Sequence, residues 1–201
     1  MKKVLWSVLL CGLAALPAAA QSATAGGGAQ MAAPTDPLAA FVKSAFKSIS
    51  ANLIGSAEQM PETNYGMKLG NMPEVRTFGV LLGHVVNANY FYCAMAKGEA
   101  NPQTTDYEKT PQTKDQLAKA MHAAIDYCGT VYDSLTDATA MQMVTPQGPN
   151  GAGRPMLRVA ILMRNVGHNN EEYGNLVGYF RAANIVPPST AAAASGGRRG
   201  E

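Results

Sequence analysis

The stretch from Arg76 to Lys97, RTFGVLLGHVVNANYFYCAMAK, most narrows the folds open to this chain. Apolar residues recur in it at three- and four-residue spacing on two flanks at once. Phe78, Leu82, Val85, Asn89, Tyr92 and Ala96 make one stripe, and Leu81, His84, Ala88, Phe91 and Met95 make a second beside it. A helix that is greasy on two flanks is packed by more than one neighbour.

Three further stretches supply neighbours. A first helix begins around Thr35-Asp36-Pro37, an N-cap candidate followed by proline at the first helical position. Leu38, Phe41, Val42, Ala45, Phe46, Ile49 and Leu53 then follow at helical spacing until Pro61 ends the run. The third helix opens on Thr113-Lys-Asp-Gln116, a capping-box pattern, and continues through Leu117, Met121, Ala124, Cys128, Val131 and Leu135. The fourth starts at Pro155 and runs to Asn184, where Pro187-Pro188 stops it; Val159, Met163, Val166, Tyr173, Val177 and Phe180 form its greasier face. Glu62–Pro73, Gly98–Gln112 and Thr136–Gly153 read as loops, no stretch alternates with period two for long, and no internal repeat is visible. An all-α fold follows: a four-helix bundle over residues 35–189.

The two ends read differently. Met1–Ala20 joins two lysines, an apolar run and an Ala-x-Ala end, the pattern of a signal peptide cleaved after Ala20. Leu10 precedes Cys11 where a lipid-anchored protein needs a small residue, so no membrane anchor is expected. No later run is long and apolar enough to span a bilayer, and the expectation is a soluble product, periplasmic or secreted. Gln21–Pro34 reads as a flexible leader and Thr190–Glu201 as a disordered tail. Losing Lys2 and Lys3 takes the basic residues from 16 to 14, against 14 acidic ones. A formally neutral chain has no basic field to draw in nucleic acid. The two cysteines left, Cys93 and Cys128, are either a disulfide suited to an oxidising compartment or two small buried hydrophobes.

His168 and Glu172 stand at i and i+4 in GHNNEEYGNLVGYF, so both project from one face of the fourth helix. His84 sits in the apolar second helix. Two imidazoles and a carboxylate suit zinc, nickel or iron and leave coordination positions open for water or substrate. Gly83 and Gly167 each precede one of these histidines, and the missing side chains would let two helix backbones approach. The plainer reading is a solvated face, because Ile161, His168, Glu172, Leu176 and Tyr179 mix polar and apolar residues on a stripe that is not the greasiest. His122 reads as a boundary or surface residue. There is no glycine-rich phosphate loop and no Gly-x-Ser-x-Gly elbow. Cys93 lies nine residues from His84, about 13 Å along a helix, too far for a nucleophile and its base.

RTFGVLLGHVVNANYFYC and, much later, HNNEEYGNLVGYFRAANIVPPS resemble the DinB/YfiT-like family of metal-binding helical bundles. The similarity covers roughly Asp36 to Ser189. It implies up-down-down-up order, with Gly98–Gln112 as a long crossover between helices two and three running parallel. In that arrangement Cys93, 17 residues after Arg76, and Cys128, 15 after Thr113, stand at nearly one height, which favours the disulfide. Cys93 and His84 point about 180° apart by helical phase, so one of them is expected off the bundle axis.

The resemblance also implies a metal held by one histidine on helix two and a His-x3-His pair on helix four. His84 and His168 match those positions; Glu172 stands where the second histidine of the pair is expected, giving a harder centre or an altered site. Glu171 is then a substitute ligand or a partner behind the ligands. The implied activity is metal-dependent hydrolysis or thiol transfer on a small molecule, with Glu171 or Glu172 as general base if not a ligand. The alternative is a non-catalytic or small-molecule-binding bundle with a degenerate site. A homodimer fits a bundle of this size. An enzyme needs an opening beside the site, and imidazoles sharing one ion must lie within about 5 Å.

Overall fold

The computed structural model describes residues 35–148 and 151–196. The expected signal peptide, Met1–Ala20, and leader, Gln21–Pro34, lie outside the described residues, as do the last five residues.

Four long helices make the body: α1 (Pro37–Gln59), α2 (Phe78–Lys97), α3 (Lys114–Asp133) and α5 (Arg158–Ala182). A short α4 (Asp137–Ala140) follows α3, and α6 (Pro188–Gly196) follows α5. Both α1 and α2 pack against α3 and α5, and together the four enclose one apolar core. Lys43 Nζ donates to the Asp133 carbonyl and Lys114 Nζ to that of Glu58, so the start of α1 meets the end of α3 and the reverse. Phe78, at the start of α2, stacks edge-on with Tyr179 and Phe180, at the end of α5.

Local sequence explains the helix boundaries. Thr113 caps α3 in the expected reciprocal box with Gln116. Thr77 Oγ1 accepts from Val80 N–H, so α2 begins at Phe78 rather than Arg76. Gly98 closes the same helix in the left-handed conformation, φ 75°, which a Cβ would disfavour. At α1 the caps are exchanged: Asp137 Oδ1 accepts from Ala39 N–H at 2.8 Å, and Asp36 Oδ1 from Asp137 N–H at 2.9 Å. The loop expected over Thr136–Gly153 is more ordered than its composition suggests. It holds α4, β1 (Met143–Val144), β2 (Gln147–Gly148) and β3 (Gly151–Ala152); β2 pairs antiparallel with β3, and β1 with β4 (Met156–Leu157) just beyond it. That β1–β4 pairing delays the fourth long helix from Pro155 to Arg158.

The tail expected from Thr190 is helical as far as Gly196. Alanine favours a helix, and tertiary contacts anchor this one. Ser189 N–H donates to the Tyr173 hydroxyl at 2.8 Å, and Pro188 lies against Gly55 of α1.

A disulfide joins Cys93 to Cys128, with Cα atoms 5.4 Å apart, in the core between α2 and α3. Tyr90 and Tyr127 meet beside it, so the two helices are level along this stretch. Protein unfolded without reductant should show no reactive thiol at Cys93 or Cys128, and reduction should lower its unfolding free energy by about 2–4 kcal/mol. Two reactive thiols in a thiol-labelling assay would remove the bridge.

Candidate metal centre

Three donor atoms converge where α2 and α5 cross. His84 Nε2 lies 3.1 Å from His168 Nε2, and Glu172 Oε1 lies 3.6 Å from the first and 3.7 Å from the second. Tetrahedral bonds of about 2.0–2.1 Å set neighbouring ligand atoms about 3.3–3.4 Å apart, so these edges are those of one face of such a polyhedron. The imidazole planes are inclined by 46°, which leaves the nitrogens rather than the ring faces opposed. All three side chains are largely shielded yet retain some exposure.

Each donor is aimed by the residues around it. The Glu108 carboxylate accepts from His84 Nδ1–H at 2.8 Å, which leaves the lone pair on Nε2. Its other oxygen accepts from Arg76 Nε at 2.7 Å. Burial alone would raise the Glu108 pKa, but the Arg76 and His84 bonds outweigh it and hold the carboxyl below its ordinary range. Asn175 Nδ2 donates to Glu172 Oε2 at 3.0 Å, so Oε1 is the oxygen facing the histidines. His168 Nδ1 is buried without a hydrogen-bond partner. Burial, and then the charge of His84, lowers the His168 pKa against the opposing pull of Glu172 and Glu171.

Glu108 escaped the sequence reading because it belongs to the Gly98–Gln112 loop, 24 residues from His84. Gly83 is the residue that admits it. An added Cβ there would sit 2.2 Å from the Tyr107 carbonyl oxygen, so the glycine brings a loop, not a second helix, against α2. At Gly167 nothing lies within 4 Å of an added Cβ, and that glycine has no part in the approach. Asn87 clamps the same loop, donating to Asp106 Oδ1 at 2.8 Å and accepting from Tyr107 N–H at 3.2 Å.

Some of the other expectations hold and some need correcting. The mixed stripe on α5 faces inward: Ile161, Glu172, Leu176 and Tyr179 are buried. Phe91 and Met163, assigned to apolar faces, are exposed. Of His84 and Cys93, the histidine is the off-axis one, on the α2–α5 flank, while the cysteine is wholly buried. His122 is a surface residue, paired with Glu58 at 2.8 Å. Glu171 is exposed and stands apart from the donor triangle.

A cavity of about 460 Å³ opens beside the triangle and reaches it through Glu172. Arg76, Glu74, Glu171 and Asn175 supply its polar wall, and Leu69, Leu81 and Tyr179 its apolar one. Two imidazole nitrogens and a carboxylate oxygen, within 3.1–3.7 Å of one another, form a donor set that fits a divalent cation once the proton shared between the two Nε2 atoms is lost.

In the metal-free protein, the His168 ring should titrate below about pH 6.5 by NMR. The unfolded chain then takes up this proton first as pH falls. The group's contribution to stability is full above about 6.5 and is lost as pH drops through the folded pKa. A midpoint above 6.5 would contradict the burial described.

Comparison with known proteins agrees with this architecture. The structure is similar to a DinB-like protein from Bacillus cereus ATCC 10987, with TM-score 0.60 and 17% identity over 73% of this chain and 93% of that one. It is also similar to a DinB-like protein (YjoA) from Bacillus subtilis, with TM-score 0.55 and 16% identity over the same shares. At such identities the likeness concerns the fold. No curated protein matches the sequence significantly. The family model of the DinB superfamily matches residues 29–171, which include His84 and His168 and end one residue before Glu172. With most of its length matched, the chain belongs to the DinB superfamily.

Proposed function

We propose that this protein binds one divalent metal ion, zinc, nickel or iron, through His84 Nε2, His168 Nε2 and Glu172 Oε1. We read it as a metal-dependent hydrolase or thiol transferase acting on a small molecule in the adjoining cavity. The observation that carries the reading is the 3.1–3.7 Å triangle of donors with an opening at its Glu172 edge. A divalent ion there would lower the pKa of a bound water or thiol and polarise an electrophile.

The chain's own residues have separable roles. Glu108 keeps His84 in the tautomer with a free Nε2, and Arg76 keeps Glu108 ionised and in place. Asn175 orients Glu172. Glu171, on the cavity wall and outside the triangle, is the candidate general base.

Purified protein dialysed against metal-free buffer should retain one equivalent of metal by mass spectrometry, and His84→Ala and His168→Ala should retain none. Glu108→Gln should weaken binding about 10- to 100-fold without unfolding the chain. Equal, negligible metal in wild type and both alanine variants would remove the site. Assays on electrophilic small molecules with and without added thiol separate the two chemistries, since hydrolysis needs water alone.

We also propose that Met1–Ala20 directs export. The Cys93–Cys128 disulfide supports this, because such bonds persist in oxidising compartments. Protein recovered from outside the cytoplasm should begin at Gln21 by N-terminal sequencing; an intact Met1 would refute export by this route.

A further inference from the structure

Beneath the donor triangle, α2 and α5 exchange a pair of amide bonds in a place that water does not reach. Asn89 Nδ2 donates to Asn169 Oδ1 at 3.1 Å, and Asn169 Nδ2 returns a bond to Asn89 Oδ1 at 2.9 Å. Both side chains are fully buried. Asn89 Nδ2 also donates to the Val85 carbonyl at 2.9 Å. Val85 directly follows His84, and Asn169 directly follows His168. One short chain of hydrogen bonds therefore links the backbone beside one histidine to the residue beside the other.

We infer that Asn89 and Asn169 are positioning residues for the metal centre, a lock that holds α2 and α5 in the single register at which His84, His168 and Glu172 converge. The inference rests on the metal-site reading above. Leucines in these places would pack nearly as well at slightly shifted registers, because dispersion contacts are not directional. An amide pair would not, since a slide of one residue moves α5 by about 1.5 Å and turns it by about 100°, leaving the Asn169 amide and the Asn89 side-chain carbonyl unbonded away from water, with only the Asn89–Val85 bond kept. Buried polar pairs of this kind are known to fix register between packed helices. A metal site needs that accuracy, because ligand distances tolerate only about 0.2 Å.

The discriminating variant is Asn89→Leu/Asn169→Leu, which removes both amides and leaves no orphan, compared with Asn169→Leu, which strands the Asn89 side-chain carbonyl. The double variant should melt closer to wild type than the single one does. It should nevertheless bind zinc at least tenfold more weakly in chelator competition and give an altered visible spectrum with cobalt(II). A double variant with wild-type zinc affinity and cobalt spectrum overturns the inference and leaves the pair a core contact only. Should the double variant not fold, Asn169→Ser, which keeps a hydroxyl and deletes the second bond, takes its place on the same readings. If wild type itself binds no zinc or cobalt, the metal reading fails while the register claim is still tested. The distance between His84 Nε2 and His168 Nε2 in a crystal structure of the variant must then exceed the 3.1 Å seen here, and an unchanged distance overturns it.

Discussion

Two amides, Asn89 and Asn169, bond to each other out of reach of water, and helices joined in this way have little freedom to slide. Around that contact α2 and α5 bury further polar side chains, Asn165 and Glu172. Asn165 lies one helical turn before Asn169, its amide nitrogen directed at the disulfide sulfurs and the Tyr132 hydroxyl, while its Oδ1 is buried without a partner. A buried polar group without a partner costs about 1–3 kcal/mol, so the Asn89–Asn169 pair tolerates few alternative arrangements. On its other side α2 is bound covalently to α3 through Cys93 and Cys128. The helix that carries His84 is thus held from two directions before any ligand is considered.

The donor triangle is assembled from parts of the chain remote from one another. His84 comes from α2, while His168, Glu172 and Asn175 come from α5. Glu108 comes from the loop between α2 and α3, and Arg76 from just before α2. The loop can lie flat on α2 because Gly83 has no side chain, and Asn87 holds it there. A carboxylate behind an imidazole makes the far nitrogen a better and better-aimed donor. Glu108 does this for His84, whereas the buried Nδ1 of His168 has no such partner. The two imidazoles are therefore unequal, although they sit in one centre.

Glu172 gives the centre its particular character. Within the resemblance to DinB-like bundles a second histidine would be expected at this place, and the family match stops at residue 171. The carboxylate still reaches the triangle, because i and i+4 residues share a face whatever their chemistry. It also lines the edge of the adjoining cavity, so the departure from the pattern lies where the triangle meets that opening.

Much of the fold was legible in local patterns. The apolar spacing of four segments, the Thr113–Gln116 capping box, Pro37 at a helix start and the glycine closing α2 are short-range features, and short-range sterics and hydrogen bonding decide them. The pairing of His168 with Glu172 belongs to the same class. Tertiary structure alone decided which flank of α5 turns inward, that Phe91 faces solvent, and that α6 is anchored through Pro188 and Ser189. It alone decided that the space left by Gly83 is filled by Tyr107 and thereby delivers Glu108. The physical reason is range: periodicity records what each segment can bury, whereas the partner that buries it is chosen by packing among segments dozens of residues apart.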